Sequence, residues 1–406
     1  MNHTKKFMQS LGAIATATIL LTAIQACSEN NNEPPAPTDT KDTALQAAIT
    51  AYVDNAVIPT YKTMADEAIL LSNLCGQARD CFIAGDIDAA NNHISLACQH
   101  WTASREAWEL SEAWLYGAAA DYNIDPHIDS WPLDRTALVA LLSNSSMMQN
   151  IGNGGAEWVS ANLGYGLLGF HAIEYMLYEL SSDGLTSSPR NLSHPFDDGT
   201  TVSDNHMIYM AAVAEDLRNQ CVRLEASWAG MSNITAEKQN ILTEAELEPT
   251  RNYGEDMKNA GRAGSSYQSL TLAAQQLIQG CIDIVDEVNT QKIGRPNSGT
   301  STEDKSYIES PYALNSVVDF ADNIRSVRNA YEGIDNTSSV SDYIATVAPD
   351  VDTQVRNLID ECISKIETIP EPFANHATGN EADAAMESLG NLSKALAKVN
   401  TALLQN

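Results

Sequence analysis

Positive charge is what this chain has least of. Against 53 aspartates and glutamates stand only 23 lysines and arginines, for a formal net charge of −30 over 406 residues. A surface of that sign repels phosphate backbones and anionic head groups, so nucleic acid is excluded as a partner, while cations, metal ions and basic peptides are attracted. Plain solubility accounts for such a charge equally well. The seven cysteines include no CxxC pair, which excludes a thiolate zinc site and thioredoxin-like chemistry. No His-Glu-x-x-His occurs among the eight histidines, so the usual zinc-peptidase pattern of two ligands one turn apart around a glutamate base is missing. Period-two strand patterns are absent too, and the one long apolar run, residues 11–24, is too short to cross a bilayer.

That run follows Lys5 and Lys6 and leads to Ala26-Cys27, so residues 1–26 read as a secretory signal peptide. Its end resembles a bacterial lipobox, in which Cys27 becomes the lipidated first residue; the alternative is a plain secreted protein. Residues 27–43 are rich in Asn, Pro and Asp and read as a flexible tether. The expected address is therefore the bacterial cell envelope, lipid-anchored to the outer membrane on its periplasmic or surface face. Of the other cysteines, Cys75 and Cys81 bracket a turn-like segment and could bridge in an oxidising compartment. Cys98, Cys281 and Cys362 lie on apolar helical stripes, where reduced buried thiols are equally reasonable.

From residue 44 onward the apolar residues recur at helical spacing. The expected fold is all-α, two helical bundles covering residues 44–200 and 201–406, divided by the Pro-, Ser- and Asp-rich stretch 187–201. The first helix should kink at Pro59 and stop at Cys75-Gly76. The second, residues 87–116, carries Arg105 inward between Trp101 and Trp108 with Glu112 two turns on: either a structural Arg105–Glu112 pair or the lining of a site. Residues 117–132 form a long loop whose aspartates lack EF-hand spacing, and Asp121 and Asp125 read as surface acidity. Glycine-rich 149–155 reads as a turn, and 292–304 as a flexible loop.

Residues 165–180 are apolar on almost every side, yet hold His171 and Glu174, which project together from one helix face. Burying that pair costs several kcal/mol, on the order of the desolvation of one ion, unless partners or a metal compensate. The pair is either a satisfied structural contact or the heart of a site.

Gly169-x-His171-x-x-Glu174 resembles the GxHxxE signature of the imelysin-like proteins, an envelope family once classed as metallopeptidases and now linked to iron uptake. Trp101-x-x-x-Arg105-x-x-Trp108, the segment Asp129-Ser130-Trp131-Pro132-Leu133-Asp134, and the later blocks Glu309-Ser310-Pro311-Tyr312 and Asp319-Phe320-Ala321-Asp322-Asn323 are similar to other stretches of that family. The resemblance implies two bundles with a cleft between them, lined by His171 and Glu174, with Arg105, Trp131, Asp134, Glu309 and Ser310 as neighbours. It also implies a binding role. His171 and Glu174, with Glu309 and Asp134 as further ligands, would hold iron or another divalent metal, and Arg105, Trp131 and Ser310 would line the space for a ligand. No catalytic residue is expected; peptidase activity and a purely structural His171–Glu174 pair are the alternatives, and other envelope proteins are possible partners.

Overall fold

The computed structural model describes residues 40–405; the signal segment, Cys27 and most of the tether lie outside them. The tether's last residues, 40–43, instead open the helix Thr40–Ala51. That helix runs through a wide π turn, Tyr52–Val57, into Ile58–Ile83, and Pro59 sits at the start of the second piece. Proline has no N–H to return to the preceding turn, so the expected kink is absorbed as a widened turn.

The second piece does not stop at Gly76. Burial of Tyr61, Met64, Ala68 and Leu71 against neighbouring helices outweighs the roughly 1 kcal/mol that an interior glycine costs. Cys75 and Cys81 therefore lie on one continuous helix, about 9 Å apart along its axis and on different faces, beyond bridging distance. All six described cysteines are free.

Two groups of packed helices make the body. Ile58–Ile83, Ile87–Glu109, Ser145–Asn162, Gly169–Leu177 and Asp204–Ala229 form the first; Leu270–Glu287, Ser316–Glu332, Pro349–Ile366 and Asn380–Leu403 form the second. Asp204–Ala229 packs chiefly on Ile58–Ile83, so the stretch 187–201 does not separate the helix after it from the first group. Ser316–Glu332 also touches Ile87–Glu109, and a single apolar core runs through both groups. Residues 149–155 are mostly helical, broken at Gly155 by a left-handed φ of 49°. The stretch 292–304 likewise contains short helical turns.

The histidine helix, Gly169–Leu177, is buried along its whole length. Trp101 Nε1 donates to Phe170 O at 3.0 Å and Tyr209 OH to Leu167 O at 2.6 Å, which pin its start. At its end Tyr178–Leu180 pairs antiparallel with Ser187–Pro189, and buried Arg190 donates to the carbonyls of Tyr175, Met176 and Tyr178, satisfying acceptors the helix leaves open.

The glycine that opens this helix has a reason in packing. Gly169 sits at φ +73°, and a Cβ there would lie 2.0 Å from the carbonyl oxygen of Ile128. That contact is backbone on backbone, so no rotamer relieves it. Gly169→Ala should lower unfolding free energy in urea by about 2–4 kcal/mol, the sum of left-handed strain and overpacking; a loss under about 1 kcal/mol is incompatible with this close approach.

Candidate metal and ligand site

His171 and Glu174 stand at the edge of a buried cluster to which segments of both helix groups contribute. At its centre the Arg105 guanidinium, fully buried, points its donors at four carboxylates. Nη1 donates to Asp129, Nη2 lies 2.7 Å from Glu309 Oε1 and 2.5 Å from Glu109 Oε1, and Nε is 3.4 Å from Asp319 Oδ2. The Glu109 contact is an ion pair without hydrogen-bond geometry, because Glu109 Oε1 has no hydrogen-bond partner. Phe170 covers the guanidinium, 5.4 Å from its ring centroid.

Lys292 adds a second buried cation, 3.3 Å from Glu109 Oε2 and 3.1 Å from Glu309 Oε1. It is delivered by another π turn, Val288–Lys292. Ser310 holds the Glu309 loop in place: its backbone adopts a left-handed φ of 48° and its hydroxyl donates to Asp319.

His171 faces a carboxylate with each ring nitrogen, Asp129 Oδ1 at 3.0 Å from Nε2 and Glu174 Oε2 at 3.2 Å from Nδ1. Burial and the nearby Arg105 charge favour the neutral ring, but the hydrogen bonds to Asp129 and Glu174 outweigh them and lift the pKa to about 9. Burial would raise Asp129, yet Arg105 and His171 hold it well below the usual carboxylate range; Trp108 Nε1 donates to its other oxygen at 2.8 Å. Burial pushes Glu109 and Asp319 up to about 7 despite Arg105. It raises Glu309 and Glu112 as well.

The charges do not balance. Glu109, Glu112, Asp129, Glu174, Glu309 and Asp319 are all buried around Arg105, Lys292 and His171. Even with the histidine protonated, full ionisation leaves three negative charges in excess, which burial tolerates only if protons or another cation neutralise them. Ligand atoms of Asp129, His171 and Glu309 lie within 4.8 Å of one another, as do those of Glu109, Glu112 and Asp129. Glu309 Oε2, like Glu109 Oε1, is a buried oxygen without a hydrogen-bond partner. The residues thus fit a cation: imidazole and carboxylates converge, with oxygens left open.

Of the residues expected from sequence, Arg105, His171, Glu174, Glu309 and Ser310 come together. Trp131 stands beside them, its ring 6.1 Å from His171 and 5.3 Å from Lys292 Nζ. Asp134 does not join: it is exposed and caps the helix Arg135–Leu142 by accepting from Ala137 N at 2.9 Å. Nor is Arg105 paired with Glu112, its partner being Glu109 one turn away. Glu174 is held by the chain itself, Oε1 accepting from the N–H groups of Tyr312 and Ala313 at 2.7 Å each. Asp129, Glu109, Lys292 and Asp319 belong to the cluster as well, though the sequence pattern does not mark them as site residues. The signal for Glu109 was the i,i+4 spacing from Arg105; for Asp129 and Asp319 it was membership of blocks already noted. Beside the cluster opens a cleft of about 600 Å³ with His171 and Glu174 on its wall.

The sequence profile of the imelysin family (peptidase M75) matches residues 38–399. Iron-regulated protein A of Synechococcus elongatus is 25% identical over 285 residues, 70% of this chain and 64% of its own length; this chain thus matches under two thirds of that curated relative. A candidate iron-regulated protein A precursor from Parabacteroides distasonis, of known structure, aligns with a TM-score of 0.70 at 26% identity, over 89% of this chain and 95% of its own. An imelysin-like protein from Psychrobacter arcticum shares the fold at 16% identity, with a TM-score of 0.54, over 88% of this chain and 94% of its own.

The raised groups set a pH dependence for the metal-free protein. Glu109 and Asp319 contribute stability that is complete below about pH 4 and lost as pH rises to about 7; His171 contributes stability complete below about 6.5 and lost by about 9. Melting temperature measured in chelator should therefore fall steadily from pH 5 to pH 9, and a flat or rising profile contradicts the cluster's electrostatics.

Proposed function

We propose that this chain, which belongs to the imelysin family, is a non-catalytic envelope protein that takes up a divalent first-row metal ion, iron foremost, at Asp129, His171 and Glu309. The observation that carries this reading is the excess of buried carboxylates over cations in the cluster, together with a free Glu309 oxygen among three converging ligand groups. One imidazole with two carboxylates suits iron, manganese or zinc. Glu174, bonded to the far nitrogen of His171, orients the ring as outer partners of ligating histidines do. Arg105 already holds Asp129 Oδ1 and Glu309 Oε1, so it competes with the ion for them and leaves Glu309 Oε2 as the open oxygen.

The names of two relatives, iron-regulated protein A, support an iron-related role. Binding fits better than hydrolysis because Glu174, the nearest candidate base, spends both oxygens on His171 and on backbone N–H groups. The proposal includes a lipid anchor at Cys27, supported by the apolar run, the small residue before the cysteine and the polar stretch after it.

At a hundredfold excess over its dissociation constant, ferrous iron, cobalt or zinc should stabilise the chelator-treated protein by about 2.7 kcal/mol, a shift of a few degrees in melting. Glu309→Gln and His171→Gln should abolish the shift while remaining folded. An unshifted wild-type melt with all three ions sinks the reading. Separately, Cys27→Ser should move the full-length protein from the membrane fraction to the soluble fraction of its host; continued sedimentation with membranes argues against the anchor.

A further inference from the structure

The cleft beside the cluster is built for something larger than an ion. Its volume, about 600 Å³, lies in the range of small-molecule sites rather than of a lone hydrated cation. His171 and Glu174 lie at its buried end, and Trp131, Leu133 and Tyr312 make half-buried walls. Toward solvent stand Arg135 and Lys305, two cations lining one opening in a chain whose net charge is −30.

Most basic side chains here are tied to carboxylates, but Lys305 makes no side-chain ion pair among the described residues. Arg135 is steadied over the Tyr175 ring at 5.2 Å and gives Nη2 to Asp197 at 2.5 Å, an exposed pair that leaves its other donors available. The acid at the opening, Asp134, is turned back onto its own helix. Lys305, without an ion pair among the described residues, and the remaining donors of Arg135 offer a bare cation nothing, whereas an anionic complex of that cation has oxygens for both.

Resting on the metal reading above, we propose that the cleft binds a small polycarboxylate chelator, so that the ion is held as a ternary complex. Asp129, His171 and Glu309 grip the metal from within, and the chelator's oxygens complete its coordination from the cleft. Arg135 and Lys305 bind the outer carboxylates. Three protein ligands leave a six-coordinate ion with positions for such oxygens.

Cobalt(II) titration of the full chain, with and without citrate, tests this. A chelator that merely competes weakens apparent cobalt affinity; one that joins the complex strengthens it. In the wild type, citrate should tighten cobalt binding at least fivefold. In the Arg135→Ser, Lys305→Ser double variant, cobalt alone should bind within twofold of wild type, and citrate should now weaken it. Lys305→Glu, at an exposed position, repeats the comparison should the double variant melt early. If citrate weakens cobalt binding in the wild type, the chelate inference fails and the metal reading stands. If cobalt alone does not bind the wild type, the metal reading fails and this inference with it.

Discussion

One buried guanidinium organises this protein. Arg105 has no route to water, and a positive charge in that position persists only because carboxylates from other segments are brought to it. The planar fork offers donors in several directions at once, which a lysine could not. Glu109 comes from the same helix, Asp129 from the loop after it, Glu309 from a left-handed turn and Asp319 from a helix of the second group. The place where the two helix groups meet is thus fixed by charge as well as by apolar packing.

That solution overshoots. More carboxylates converge than Arg105 can neutralise, and the chain adds Lys292 through an extra-wide helical turn, and then a doubly bonded histidine. The remaining imbalance separates this cluster from an ordinary structural ion pair, where charges match. Excess buried charge with open oxygens is costly to keep, and a chain that keeps it needs either a proton or a cation in residence.

The all-α class was legible because helical spacing persists through nearly every segment. That His171, Glu174, Arg105, Glu309 and Ser310 gather in one cluster was legible from polar groups in strongly apolar surroundings for the first three and from the family resemblance for the last two. What linear spacing could not reveal was convergence: Asp129 and Asp319 are 190 residues apart, and nothing local says that both reach Arg105. Lys292 was hidden for a different reason, since a π turn breaks the 3.6-residue register from which inward faces are read. Asp134 and Glu112 misled in the opposite sense. One is used as a helix cap, and the other lies two turns from an arginine that prefers its nearer neighbour.

The hold of Glu174 on the second group runs to main-chain N–H groups at positions 312 and 313. Every amino acid except proline carries that donor, so this contact does not depend on which side chains stand at 312 and 313. Position 174 has no such freedom. Tyr312 also lines the cleft, so a change of side chain there alters that wall while the anchoring contact stays the same. The character of the cleft wall is thereby uncoupled from the integrity of the buried cluster.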